Sequence, residues 1–137
     1  MPSISYETWQ KLTTWEKVSL GLRPFAVPSV NECAGKALTE AAKRYPPQSL
    51  RNGAGDAFRH CYWSALMTRD IGFLNTKAIT DSHEEGPGIP EDEKAMDLHN
   101  NLQGMVIGIQ HRKASDRELA DACAQALVDG KLKVLKP

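Results

Sequence analysis

Cysteine is scarce in this chain, and its pattern does not suit cysteine-based chemistry. The three cysteines, Cys33, Cys61 and Cys123, are widely spaced, and no CxxC pair occurs. A disulfide framework or a thiolate zinc site requires paired or clustered cysteines, whereas single thiols on apolar helix faces are typical of packing residues. We therefore expect three buried free thiols.

The chain also lacks an excess of charge of either sign. Its 17 lysines and arginines balance 17 aspartates and glutamates, which gives a formal net charge of +0. Proteins that coat nucleic acid or bind anionic membranes carry a basic excess. The balance therefore gives no support for either partner, although it leaves room for a nuclease with a local basic groove.

Long apolar runs are absent as well. No stretch approaches the roughly 20 apolar residues of a transmembrane helix, and the N-terminus lacks the basic and apolar regions of a secretory signal. We therefore expect a protein that is cytoplasmic in the producing cell or exported without a cleaved signal peptide. With 137 residues, no repeat and no linker composition, the chain is predicted to form one helical domain over residues 1–137.

What the sequence does contain is a series of helical segments separated by glycine and proline. Capping boxes at residues 13–16 and 115–118 predict two helix starts. Further helices are predicted over residues 28–44, 54–70, 73–84 and 91–110. Residues 131–136 indicate a short edge strand or an ordered tail. The predicted fold class is therefore all-α, a compact bundle of five to six helices around a buried central helix at about 54–70.

The central helix combines apolar residues around most of its circumference with ionisable groups. A helix of that kind is normally buried on several sides. Asp56 and His60 are four residues apart and therefore share one face, with Trp63 beside them. Desolvating a carboxylate and an imidazole without partners is costly. This face, together with Arg59, is the first candidate site.

Two later helices carry similar polar clusters. They comprise Asp81, His83 and Glu84 on one helix and Asp97, His99, Asn100 and Asn101 on the next. Residues two apart on a helix point roughly 200° apart, so Asp81 and His83 should serve different surfaces unless the helix ends at Ser82. By the same phase, Asp97 should face inward and His99 outward.

Apolar spacing predicts which side of each helix is buried. The residues expected to face inward include Leu38, Leu74, Leu98, Leu102, Met105 and Ile109. Gly104 and Gly108 form a GxxxG pair on the same side as Asp97, which would let another backbone approach closely.

Two interpretations of the polar clusters remain open. Asp56, His60, Asp81 and Asp97 could bind a divalent metal, zinc or manganese, because imidazole and carboxylate groups on facing helices are suited to such ions. Alternatively, the same groups form a buried structural network of hydrogen bonds and ion pairs. No HExxH or CxxC spacing decides between them.

Four blocks of the sequence carry a resemblance. They are NGAGDAFRH at residues 52–60, WSALMTR at 63–69, TDSHE at 80–84 and MDLHNN at 96–101. Together they resemble an uncharacterised bacterial helical domain family found as stand-alone proteins and at the C-termini of secreted proteins, including polymorphic toxins. The resemblance implies a compact, hydrolytic effector whose partners would be a cognate immunity protein or a secretion apparatus.

The leading hypothesis is a metal-assisted hydrolase that acts as an antibacterial effector, with phosphoesters of lipid or nucleic acid as the first expected substrates. The expected catalytic residues are His60, Asp56, Arg59, His83, Glu84 and Asp97, and the expected substrate-binding residues are Asn100, Asn101 and Trp63. One alternative is a non-enzymatic interaction module whose polar residues are structural. A second is an HD-like phosphohydrolase, because His60, His83 with Glu84, and Asp97 follow a similar order along the chain.

Overall fold

The fold consists of α-helices, as predicted. The computed structural model describes residues 27–84 and 88–137, and the predicted helix start at residues 13–16 lies outside them. The helices are α1 (Val27–Arg44), α2 (Ala54–Ile71), α3 (Phe73–His83), α4 (Glu91–Gln110) and α5 (Asp116–Val128), with a 3-10 turn at Pro47–Ser49. These ranges contain no strand. No helix within them has both the length and the apolar character of a membrane span.

Helix α2 is the centre of the bundle and packs against each of the other four helices. Its apolar residues are therefore buried on several sides, and Phe58, Leu66 and Met67 are fully enclosed. Gly72, at φ +88°, ends the helix and allows α3 to start at the next residue. The prediction of a buried central helix is confirmed, and Cys33, Cys61 and Cys123 are buried free thiols.

Helix α4 packs on α2 through glycine and amide residues rather than through its leucines. A Cβ atom on Gly104 would collide with the carbonyl oxygen of Cys61, and one on Gly108 would lie 2.7 Å from the carbonyl oxygen of Ala65. The GxxxG pair thus allows the close backbone approach predicted from the sequence. Asn101 lies fully buried in the same interface and accepts a hydrogen bond from Ser64 Oγ at 3.2 Å.

The prediction that the apolar stripe of α4 faces inward is wrong in part. Leu102 is 45% exposed, and Leu98 and Ile109 are exposed too, whereas Met105 is buried as expected. The reason is steric: the two backbones approach each other only where α4 carries small side chains. That contact turns most of the leucine side of the helix outward.

Leu38 and Leu74 are also exposed, contrary to prediction, and Leu74 is 77% exposed. On α1 the buried face consists of Val30, Cys33, Ala37 and Ala41. Leu38 lies next to Ala37 in sequence, so it points about 100° away from that face. On α3 the inner side carries Thr76, Ile79 and Thr80 instead of Leu74.

The C-terminal residues form an ordered tail rather than a strand. The side-chain amide of Asn100 donates to the Lys133 carbonyl oxygen at 2.9 Å, and its oxygen accepts from the Lys133 N–H at 2.8 Å. The carbonyl oxygen of Asn52 accepts from the N–H groups of Leu135 and Lys136. His99, exposed as predicted, adds a 2.8 Å contact to the Lys131 carbonyl oxygen. The tail is therefore held against the residue that precedes α2 and against the middle of α4.

Candidate metal and acid-base site

His60 lies between two carboxylates that come from different helices. Its Nδ1 atom is 3.1 Å from Oδ1 of Asp56 on α2. Its Nε2 atom is 3.5 Å from Oδ2 of Asp97 on α4. The His60 and Asp56 side chains are almost fully buried, and that of Asp97 is only slightly accessible. The predicted convergence of Asp56, His60 and Asp97 is therefore present in the structure.

Asp56 is held by donors on both oxygens. Oδ2 accepts the Asn52 N–H at 2.7 Å, which also satisfies a backbone donor ahead of α2. Oδ1 accepts from Arg59 Nη2 at 2.9 Å. Burial alone would raise the pKa of Asp56, but His60, the Asn52 N–H and Arg59 together hold that pKa well below its usual range. Asp56 is therefore an ionised carboxylate that is held in one position, and both of its oxygens already accept hydrogen bonds.

The surroundings of His60 determine which of its ring nitrogens carries a proton. Nδ1 is 3.1 Å from two acceptors, the backbone oxygen of Asp56 and its Oδ1 atom. Two acceptors at this distance make Nδ1 the donor, so Nδ1 carries hydrogen. Nε2 faces Oδ2 of Asp97 at 3.5 Å, beyond the usual hydrogen-bond range, and is therefore the atom available for a metal. A carboxylate that fixes the far nitrogen in this way is typical of metal-binding histidines.

Asp97 and Glu84 form a second feature of the site, a pair of buried carboxyl groups. Within the described part of the chain, Asp97 Oδ1 and Glu84 Oε1 are enclosed and have no hydrogen-bond partner. Burial, followed by the charge of Asp97, raises the pKa of Glu84 to about 7 against the opposing effect of His83 and His60. Burial also raises the pKa of Asp97. When two adjacent carboxyl groups are both buried, a shared proton or a bound cation lowers the cost of placing their negative charge there.

The donor set fits a divalent metal. Asp56, His60 and Asp97 each offer one ligand atom, and these atoms all lie within 4.8 Å of one another. One imidazole nitrogen and carboxylate oxygens suit zinc and other first-row ions. The unpartnered Asp97 Oδ1 adds an acceptor that a cation would satisfy. The group could therefore hold a metal, with Asp56 contributing mainly to the orientation of His60.

Asp81 does not belong to this group, although it was predicted as a possible ligand. Its Oδ2 atom lies 2.6 Å from Lys77 Nζ, and both side chains are exposed. Helix α3 continues through His83, so Asp81 and His83 face different surfaces, as the helical phase predicts. Glu84 follows the last helical residue and turns inward, which places a carboxylate where Asp81 was expected.

His83 and Trp63 line a small cavity beside His60. The cavity has a volume of about 90 Å³ and is also lined by Arg59 and two alanines of α1. The rings of Trp63 and His83 meet edge-on, with centroids 5.6 Å apart. Arg59, His83 and Trp63 therefore adjoin the candidate site on the side away from α4. His83 is not one of the grouped ligand residues, so the geometry does not favour the HD-like arrangement.

On its other side the site reaches a groove between α3 and α4. The groove has a volume of about 440 Å³ and is lined by Lys77, Asp81, Glu84, Lys94, Leu98, Leu102 and Met105. Glu84 lines this groove, and its carboxyl group interacts with that of Asp97. The groove therefore gives a route from solvent to the carboxyl pair.

Asn100 and Asn101 were predicted to bind substrate, and the structure places both in packing contacts. Asn100 is fully buried, and its amide group is engaged by the backbone of Lys133. Asn101 is fully buried between α2 and α4, where it contacts Ser64. Neither lines the cavity at His60 or the groove at Glu84. Both side chains are therefore engaged in packing contacts, and their role in substrate binding stays a prediction.

Asn52 is a supporting residue whose importance the sequence interpretation missed. It adopts φ +61°, a left-handed conformation that asparagine tolerates better than most residues. Its N–H binds Asp56, its side chain donates to Glu93, and its carbonyl oxygen accepts the C-terminal tail. The Asn-Gly pair four residues before Asp56 was the available signal, because Asn-Gly favours such backbone conformations.

Comparison with known proteins identifies the family of this chain. No solved structure matches the chain. The family match extends over residues 17–131 and therefore includes Asp56, His60, Glu84 and Asp97. The chain belongs to the DUF6973 family, a domain of unknown function.

Proposed function

We propose that this domain is a metal-assisted hydrolase of phosphoesters. The observation that carries the proposal is the position of His60, which is fixed by Asp56 through Nδ1 and faces Asp97 through Nε2 at 3.5 Å. Two further carboxyl oxygens lie enclosed and without a donor at the same place, within the described residues. A divalent cation bound by His60 and Asp97 would satisfy the Asp97 oxygen, and a proton would satisfy Glu84.

Each residue has a distinct role under this proposal. His60 and Asp97 would hold the cation, and Asp56 keeps the imidazole in the tautomer that leaves Nε2 free. A metal bound there would supply Lewis-acid stabilisation of the charge that develops on the phosphoryl oxygens. Glu84 adjoins Asp97 and lines the groove to solvent, so it is placed to exchange protons with an incoming water.

The hydrolytic step requires these groups, one water molecule and a proton from solvent. The water oxygen forms a bond to phosphorus while the bond from phosphorus to the leaving oxygen breaks. Glu84 accepts a proton from the water, and the leaving oxygen receives a proton from solvent. Arg59, which is partly exposed at the cavity beside His60, contributes positive charge near the reacting group.

The proposal is tested by hydrolysis of bis(4-nitrophenyl) phosphate and 4-nitrophenyl phosphate after loading with manganese or zinc. We expect turnover by the wild type and a loss of about a hundredfold or more in the His60→Ala and Glu84→Gln variants. His111→Ala is the matched control, because His111 is exposed at the end of α4. Thermal melting of each variant separates loss of chemistry from loss of fold.

Two outcomes would contradict the proposal. One is the absence of hydrolysis by metal-loaded wild type on both compounds. The other is full activity in a folded His60→Ala or Glu84→Gln variant.

We also propose that the domain acts as an antibacterial effector, with a cognate immunity protein as its partner. This part rests on the resemblance of the four sequence blocks to toxin-associated domains. Expression in a bacterial host should arrest growth for the wild type and not for His60→Ala. Equal growth of both strains at equal protein levels would argue against an effector role.

A non-enzymatic interaction module remains the second candidate, and one observation favours it. Leu98, Leu102, Val106 and Ile109 lie exposed on α4. Under this alternative the Asp56, His60 and Asp97 group only stabilises the fold. It then predicts no metal binding and no turnover, while substitution of His60 would still lower the melting temperature.

A further inference from the structure

The outer face of α4 carries a narrow apolar stripe. The stripe consists of five exposed residues, Ala95, Leu98, Leu102, Val106 and Ile109. At about 100° per residue, all five fall within an arc of about 80°, which points away from the glycine face that packs on α2. The outer face of a surface helix is normally polar. A continuous apolar stripe in this position is therefore typical of a contact surface.

The spacing of the stripe is symmetric about Leu102. Leu98 and Val106 lie four residues to either side of it, and Ala95 and Ile109 lie seven residues to either side. When two copies of α4 are paired antiparallel with Leu102 at the centre, Leu102 meets its own counterpart. Leu98 then faces Val106 of the partner subunit, and Ala95 faces Ile109 of the partner subunit. In this one register each apolar residue of the stripe meets another, as a two-fold symmetric contact requires.

The two ends of α4 carry opposite charges that fit the same register. Glu91 and Asp92 are exposed in the first turn, and Arg112 and Lys113 are exposed just after the last helical residue. The helix dipole favours each sign where it occurs, but it does not account for the apolar stripe between them. In the antiparallel register, Glu91 falls opposite Lys113 of the partner subunit. Asp92 likewise falls opposite Arg112 of the partner subunit, whereas a parallel pair would bring like charges together.

We propose that the stripe on α4 binds a second copy of this chain, in a homodimer whose two α4 helices pair antiparallel about Leu102. The inference does not rest on the proposed hydrolase function. Leu98 and Leu102 also line the groove at Glu84, so the partner subunit would border the opening of that groove.

The size of the stripe determines how strong this dimer should be. Helix α4 has 20 residues and is about 30 Å long and 10–12 Å wide, so one face covers about 300–400 Å². A standard interface buries about 800 Å² per partner. We therefore expect a reversible dimer with a Kd of about 10–100 μM.

Sedimentation velocity of the full chain, from tenfold below to tenfold above this Kd, tests the proposal. The mass should rise with concentration from 15.1 kDa towards twice that value. Leu102→Glu should weaken the association about tenfold or more, because two carboxylates would meet at the symmetry axis. Leu38→Glu is the matched control, since Leu38 is an exposed leucine on α1 outside the stripe. It should associate like the wild type, and thermal melting of both variants establishes that they are folded.

Charge reversal tests the antiparallel register. Glu91→Lys with Asp92→Lys makes both ends of α4 basic, and Arg112→Glu with Lys113→Glu makes both ends acidic. Each double variant alone should associate about threefold or more weakly than the wild type, because like charges then meet at both ends. An equimolar mixture of the two should recover the wild-type association. Double variants that each associate as strongly as the wild type would show that the register is wrong.

Two further outcomes overturn the inference. One is a folded Leu102→Glu variant that associates like the wild type. The other is a wild-type chain that stays monomeric over the whole concentration range, which would mean that another segment of the chain or a different protein covers the stripe.

Discussion

The Nε2 atom of His60 lies 3.5 Å from Oδ2 of Asp97, so an imidazole on α2 and a carboxylate on α4 meet across the main helix interface of the fold. Gly104 and Gly108 allow the two helices to approach closely at this interface. The geometry of the site and the packing of the bundle therefore depend on one helix pair.

We expect zinc or manganese to stabilise the wild type through this pair. A ligand that binds only the folded state at a hundredfold excess over its Kd adds about 2.7 kcal/mol, which corresponds to a Tm increase of about 5–10 °C in a domain of this size. Asp97→Asn should remove the increase, and Asp81→Asn should keep it. Differential scanning fluorimetry with and without EDTA measures both. An equal Tm increase in the two variants would show that the metal binds at another site.

The pH dependence of stability should report the burial of Glu84. Its pKa is about 7 in the folded chain against an ordinary 4.5, so the folded state binds more protons between these values. Stability therefore falls as pH rises through that window. In metal-free protein, the stability of Glu84→Gln should decrease less with rising pH than that of the wild type. At pH 8 the variant should be more stable than the wild type by about 1–3 kcal/mol.

Urea unfolding at pH 5, 6, 7 and 8 measures the effect of Glu84. Glu91→Gln, which alters an exposed carboxylate at the start of α4, should keep the wild-type slope. A Glu84→Gln slope that matches the wild type would contradict the buried, proton-binding state of this carboxyl group.

Gly104→Ala should destabilise the protein by about 2 kcal/mol or more, because the new Cβ meets the Cys61 carbonyl and the helices must separate. Gly35→Ala offers a helical control with no atom within 4 Å of the new Cβ. It should be neutral or stabilising by up to about 1 kcal/mol, since alanine favours helix more than glycine. Denaturant midpoints decide the comparison, and equal effects of the two changes would refute the close approach at Gly104.

The contact between Asn100 and the C-terminal tail should contribute more to the free energy of unfolding than the neighbouring surface contact of His99 does. Asn100→Ala removes two part-buried hydrogen bonds to the backbone of Lys133, and we expect a loss of about 1–3 kcal/mol. His99→Ala removes one exposed contact to Lys131 and should cost less than about 1 kcal/mol. Hydrogen exchange of the Lys133 amide provides a local readout. Unchanged protection in Asn100→Ala would show that the tail is held by other contacts.

Several features were predictable because they depend on neighbours along the chain. The Ser115 capping box forms as expected, with Ser115 and Glu118 bonding reciprocally at the start of α5. The inward direction of Asp97 and the outward direction of His99 followed from helical phase alone. Glu84 could not be placed in this way, because its direction depends on the helix ending at His83.

The sequence by itself determined the helices, the burial of the central one and the side of it that carries Asp56 and His60, because periodicity and glycine or proline breaks act locally. Only the tertiary structure decided which face of α4 meets α2, and hence that Leu98 and Leu102 are exposed while Asp97 reaches His60. Leucines at helical spacing indicate burial but not the partner. The closest approach of two backbones is set by the steric fit of Gly104 and Gly108 against Cys61 and Ala65, which no local pattern specifies.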